Sequence, residues 1–349
     1  MLESSIASHL RCPRLRTRRV SDNFKPPVPM WSARADESVT QMVMGYFGVQ
    51  SEGEEQKGRA CKAFQGILDS FLAAGGPRHH DLVHYVDAAG YNNMIAIAYW
   101  DDPLVYERWR TNPAVAGWWE SKDRLNEGIG YFRETLAPRV EQFETIFTAK
   151  EPLEGVGIIM GGMSDEILEH GYWGAMRDRF PLSQTDTMEP SGDLAVKEGK
   201  PALGGRVVIA GHQNLAVIRS GQDWTETEGE ERRTYLEDIE PTLRAGMDYL
   251  RDDGLEAGCY SNRYVRHMDA KGNPVEKSFG VSHWRSLEHL EHWASSHPTH
   301  LSIFVTFNRL AKKFKNLKLY HEVSVFDPAA QLYEYVNCHP GTGLMRAAL

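Results

Sequence analysis

The sequence predicts an α+β fold of two ferredoxin-like halves in tandem, each with antiparallel strands flanked by helices. Three observations predict it. Runs rich in β-branched and aromatic residues alternate with amphipathic runs, in the same order, in both halves of the chain. A tryptophan pair recurs: AYWDDPLVYERW carries Trp100 and Trp109, SHWRSLEHLEHW carries Trp284 and Trp293, and both pairs are nine positions apart. The copies are offset by 284 − 100 = 184, and a strand-then-helix context surrounds each, so a duplicated unit explains the echo better than chance. The composition is ordinary and globular. The 349 residues, 41% hydrophobic and 25% charged, suffice for two domains with a full core and no disulfide staples.

The elements follow in order. Residues 1–38 read as an arm. The three prolines of FKPPVPMW exclude a helix, and Arg11, Arg14, Arg16, Arg18 and Arg19 suit it to lie on an acidic body. The first half, 39–150, opens with the strand-like VTQMVMGYFGVQ. A helix over 57–74 follows from the spacing of Ala60, Phe64, Ile67, Leu68 and Phe71. GGPRHH breaks it; a buried strand over 93–100 and a short helix with Pro103 in its first turn come next. Residues 151–212 connect the halves. The second half, 213–349, has a strand over 214–220 and a helical stretch over 225–251 broken at Pro241. Strands over 258–268 and 279–284 flank the KGNP turn. A helix over 286–293, capped by Ser286, and a strand over 317–326 complete it.

Several function classes drop out. The net charge of 39 − 48 = −9 argues against a nucleic-acid partner. No apolar run is long enough to cross a membrane, and the N-terminus has no secretory apolar stretch. Glu3 and Pro13 argue against a transit peptide. Cys12, Cys61, Cys259 and Cys338 form no CxxC or CxxCH and read as plain thiols in a reducing cytoplasm. The glycines form neither GxGxxG nor GxxxxGK[ST], and HExxH is absent.

Duplication makes asymmetry informative. At the offset of 184, His300 falls opposite 300 − 184 = 116, which is Ala116. His297 and His300 lie in HPTH. As an i, i+3 pair they could share a metal, although Pro298 disturbs a common face; one imidazole could instead hold a haem iron, and capping a helix end is the plainer role. His321 interrupts the apolar LYHEVSVF. It is either a satisfied core histidine or, facing a pocket, an acid or base. Arg177, Asp178 and Arg179 would ordinarily make a solvated turn. The aromatic surroundings point one guanidinium inward, where Glu144 of QFETIF is the candidate partner. Ser220 ends LAVIRS outside any GxSxG elbow, so it is a turn serine or a hydroxyl that holds a ligand.

PPVPMW, VMGYFGVQ, RVEQFETIF, EHGYWGAMRDRFPLSQTD, NLAVIRSGQDW, GCYSNRYVR, SHPTHLSIF, LYHEVSVFD and YVNCHPGTG occur in this order. In these segments, through most of its length, the chain resembles the haem-containing aldoxime dehydratases, phenylacetaldoxime dehydratases included. The resemblance implies a homodimeric, cytoplasmic lyase of dimeric α+β barrel type, with a haem pocket, that turns aldoximes, R–CH=N–OH, into nitriles and water. It implies haem b with His300 as proximal ligand, and catalytic roles for His321, Ser220, Arg179 and Glu144. The aldoxime would bind ferrous haem through nitrogen. Ser220 would hold the oxime oxygen, and His321 would first donate a proton and then accept one. Arg179 and Glu144 would orient His321, the carboxylate favouring its imidazolium. FMN or another reductant would serve as activator in assays. The rivals are a non-catalytic haem carrier or sensor, and a peroxidase-like oxidase, which needs ferric haem and peroxide. Arylalkyl and alkyl aldoximes are both open as substrates.

Overall fold

All nine residues of Val43–Ser51 are buried, the pattern of a strand covered on both faces. That strand starts the main sheet of the computed structural model, which describes residues 2–200, 204–310 and 313–348. The first half runs β1 (Ala33–Arg34), β2 (Val43–Ser51), α1 (Gly53–Ser70), β3 (His79–Val86), β4 (Asn92–Trp100), α2 (Pro103–Arg110), α3 (Pro113–Glu120), β5 (Gly130–Leu136) and β6 (Phe143–Phe147). Between the halves lie β7 (Gly162–Met163), α4 (Ala175–Arg179), β8 (Ala195–Glu198) and β9 (Arg206–Ala210). The second half runs β10 (Leu215–Asp223), α5 (Gly229–Thr234), α6 (Glu240–Asp252), β11 (Cys259–Met268), β12 (Pro274–Trp284), α7 (Leu287–Ser296), α8 (Pro298–Leu310), β13 (Lys318–Phe326) and β14 (Gln331–Val336).

Local chemistry sets the boundaries. Asp102 and Asn112 each accept the N–H two residues on and start α2 and α3, with proline as the first helical residue of each. Ser286 caps α7 in the same way, accepting from His289. Pro241 does not interrupt the long helical stretch. It sits in the first turn of α6, and a single π-helical turn over Tyr235–Ile239 joins α5 to it.

Twelve strands form one antiparallel sheet in the order β6-β13-β10-β12-β11-β3-β4-β2-β5-β14-β9-β8. The runs β13-β10-β12-β11 and β5-β2-β4-β3 have the same internal order and meet where β11 pairs with β3, Arg266 opposite His84. The next strand of each run crosses to the other: β6 pairs with β13, and β14 pairs with β5. The C-terminal strand therefore joins the sheet of the first half.

Strands far apart in this order touch through side chains, so the sheet curls. Arg263 of β11 makes a bidentate pair with Glu134 of β5 at 2.6 Å for both bonds. Arg219 of β10 reaches Asp81 of β3 at 2.9 Å. The apolar core inside the curl draws on both runs, from Tyr46, Ile95 and Phe132 to Val217, Phe279 and Val281. Helices cover the outer faces: α1, α2 and α3 over the first half, α6 and α7 over the second. The two tryptophan pairs pack alike. Trp100 and Trp109 lie 5.2 Å apart at 41°, Trp284 and Trp293 5.6 Å apart at 42°.

Candidate active site

β10 and β13 bring the first two residues together. Ser220 is the register partner of His321, so both side chains stand on one face of the sheet. On the far side of β13, Ile146 of β6 is the partner of His321, and Glu144 lies two positions along the same strand. With a period of two, Glu144 shares the face of His321 and Ser220. This is the outer face, because the intervening Arg219, Tyr320 and Glu322 belong to the polar network inside the curl.

Arg179 comes from α4. Its Nε and Nη2 donate to the two carboxylate oxygens of Glu144 at 2.5 and 3.0 Å, and its Nη1 donates to the Glu169 carbonyl at 3.0 Å. The pair is closed to solvent, with side-chain exposures of 5% for Arg179 and 1% for Glu144. Of the charge cluster, only Arg179 serves this face. Arg177 pairs instead with Glu291 on α7, and Asp178 takes the Tyr172 hydroxyl and the Arg19 N–H.

His300 sits in the first turn of α8, its ring 4.8 Å from Trp293 and 6.4 Å from Trp173. His297 does not join it: its ring stacks on Tyr249 at 4.2 Å and its Nδ1 meets Thr299 Oγ1 at 2.9 Å. α3 begins at Pro113 and α8 at Pro298. This offset of 298 − 113 = 185 places His300 opposite Val115, a core residue, rather than Ala116.

The electrostatics correct one expectation. Burial pushes the His321 imidazole from the ordinary 6.5 to about 4, and the positive charge of Arg179 and then His300 push the same way. Glu144 is not among the groups that shift His321; each of its oxygens accepts from Arg179, whose charge opposes an imidazolium. Burial raises Glu144 above the usual carboxylate range against the opposing pull of Arg179. Burial also lowers His300, against the pull of the Ala294 carbonyl.

α8 reads apolar, yet among the described residues it buries none; Phe304 and Val305 are 45% and 63% exposed. Across from it, Ile218 and Ser220 keep accessible surface although Val217, Arg219 and Gly221 beside them are buried. In the first half α3 fills the corresponding layer, with Val115 and Trp119 packed in the core. Accessible surface therefore remains on α8 and at Ile218, Ser220 and His321 on the outer face of β10 and β13, and His300 is near enough for its charge to act on His321.

A family model described as haem-containing dehydratase matches residues 45–344. The chain belongs to that family. It is 56% identical over 348 residues to the aliphatic aldoxime dehydratase of Rhodococcus globerulus, covering 100% of this chain and 99% of that protein. It is 33% identical over 334 residues to the phenylacetaldoxime dehydratase of Bacillus sp. (strain OxB-1), covering 94% of each. A crystal structure of an aldoxime dehydratase in complex with butyraldoxime matches with a TM-score of 0.97 at 56% identity, over 100% of this chain and 97% of that one.

The family's haem fits the residues present. Apolar side chains of α8 stay accessible beside His300, and burial favours the neutral His300 imidazole, the form that binds iron. Around these residues are contacts that sequence reasoning missed. Trp173 lies against His300 and Phe304. Glu169 and Asp178 fasten the Arg179 segment to the arm. EHGYWGAMRDR contains all three, but nothing in its spacing shows which groups they meet.

Proposed function

We propose that this chain is an aldoxime dehydratase, a lyase that converts R–CH=N–OH into a nitrile and water, with haem b held by His300. The observation that carries it is the joint placement of Ser220, His321 and the Arg179–Glu144 pair on one sheet face, with His300 near enough for its charge to act on His321. Reduced, ferrous haem bound there supplies the electron density that weakens the N–O bond. The reaction moves one proton from carbon to the departing oxygen. Ser220, beside His321 in register, holds that oxygen, and His321 carries the proton between carbon and oxygen. His321 is neutral at rest, so the imidazolium exists only during turnover. The paired Arg179 is kept in place by Glu144 and the Glu169 carbonyl, and its charge returns His321 to the neutral form.

The greater similarity to aliphatic than to phenylacetaldoxime dehydratases favours aliphatic aldoximes as the preferred substrates. Two ferredoxin-like halves, 39–150 and 213–349, in a barrel-like curl are part of the proposal. Besides strand order and tryptophan pairs, a glycine echo supports it. A Cβ on Gly48 of β2 would come within 2.0 Å of the ring of Phe132, its β5 register partner, and one on Gly221 of β10 within 2.0 Å of Tyr320, its β13 partner. Homodimerisation and a cytoplasmic location complete the proposal, and light scattering tests the first; no described helix is long and apolar enough to cross a membrane.

The deciding experiment is anaerobic, reduced holoprotein with butyraldoxime, then phenylacetaldoxime, with and without FMN, measuring nitrile. Nitrile formed without peroxide, faster from butyraldoxime, is the expected result. Intact haem with no nitrile would leave the carrier reading, and a peroxide requirement the oxidase.

A further inference from the structure

Glu144 and Arg179 also line a cavity of about 40 Å³ whose other wall is the N-terminal arm, including Ser5, Ile6 and Ser32. One water needs roughly 10–15 Å³ of such space and two to four polar partners, whereas an apolar cavity stays dry. This cavity has the partners. A carboxylate offers about four acceptor positions, and Arg179 fills two of those on Glu144. The backbone of Ser5 is committed: its N–H donates to Glu169 Oε2 at 2.8 Å, and its carbonyl accepts from Arg34. Its hydroxyl is not. Ser5 is 5% exposed, and Oγ is buried with no partner among the described residues. A buried hydroxyl without a partner costs free energy that one bridging water would recover.

We propose that the N-terminal arm and the Glu144–Arg179 pair border a resident water site, with Ser5 Oγ as its anchor. The arm is fastened for this purpose. Arg18 reaches Glu169 at 3.4 Å, the Arg19 N–H donates to Asp178 at 2.8 Å, and Gln184 donates to the Leu10 carbonyl at 2.9 Å. These contacts fall on both sides of Arg179 in sequence. The water occupies acceptor positions of Glu144 that the guanidinium leaves free, and so fixes the carboxylate that fixes Arg179. Ser5 is thus a positioning residue, and the arm is part of the distal site's support. The kinetic part of this inference rests on the dehydratase reading; the water site does not.

The test compares Ser5→Val and Ser5→Thr, which share shape and differ in the hydroxyl, in the full-length holoenzyme. High-resolution crystals of the unaltered protein should show a water within hydrogen-bond distance of Ser5 Oγ. The valine variant should lack it, and the threonine variant should keep it. With haem per subunit unchanged, Ser5→Val should lower kcat by about 2- to 10-fold, the worth of one hydrogen bond, and Ser5→Thr should restore most of it. A dry cavity in the unaltered protein, or equal kcat in the two variants, would overturn the proposal. A watered cavity in a protein that makes no nitrile would sink the dehydratase reading and leave the water site standing.

Discussion

Replacing Glu144 by glutamine removes the charge that Arg179 was buried against, while keeping nearly the same volume. Both side chains are at most 5% exposed, and the pair is bidentate at 2.5 and 3.0 Å. An uncompensated buried guanidinium costs about 3–5 kcal/mol. Removing both charges together, as Glu144→Leu with Arg179→Met, avoids that cost. It forfeits the bond to the Glu169 carbonyl, about 1 kcal/mol, and the pair's own net contribution, which for buried pairs is near zero. The double variant should therefore be more stable than Glu144→Gln by about 2 kcal/mol or more. Urea unfolding of fully haem-loaded protein measures this, with equal loading because bound cofactor adds to apparent stability. A Glu144→Gln loss below about 1 kcal/mol, or a double variant that costs the sum of its singles, would refute the buried-pair argument. Both variants should lose nitrile formation, so the folded double variant separates the pair's chemistry from its structural weight.

Three further outcomes are expected. His300→Ala should purify without a haem absorption band, and a fully loaded, active His300→Ala protein would contradict its role as ligand. His321→Ala should keep the haem spectrum and lose about 10²- to 10⁴-fold in turnover, read by nitrile formation at saturating butyraldoxime. His283 is 1% exposed and held at about 4 by burial, so its unfolded form binds a proton between pH 6.5 and 4 that the folded form refuses. Stability of the unaltered protein relative to His283→Asn should fall by on the order of 3 kcal/mol across that window as pH drops; an unchanged difference in urea midpoint would remove burial as the cause.

Several strands were legible in the sequence from apolar or β-branched runs, and others were not. Asn92–Trp100 and Lys318–Phe326 stand out by composition. His79–Val86, HHDLVHYV, does not, because Asp81 is buried there by a partner 138 positions away, Arg219. The same reason hid the strand at the C-terminus: the tyrosines of Gln331–Val336 pair with β5, and nothing local states that the last strand returns to the first half. Within the site, His300, His321, Ser220, Arg179 and Glu144 could be named from sequence. What could not be read was which charge each one meets. Glu144 engages Arg179, while burial first, and then the charges of Arg179 and His300, lower the His321 pKa.

Period two alternation explains how one pair of strands serves two environments. Along β10, Arg219 points into the curl to Asp81, and Ser220 stands on the outer face. Along β13, Tyr320 and Glu322 point in, and His321 points out between them. The inner network of Arg219, Asp81 and Tyr320 therefore fixes the register that pairs Ser220 with His321. A slip of one residue would turn Arg219 and Glu322 toward the outer face and the two site residues into the core. Gly221 has the same logic: Tyr320 lies across it, and only a residue without Cβ lets β10 and β13 approach there. The polar interior, with no part in the chemistry, holds the two side chains that have one in adjacent register positions.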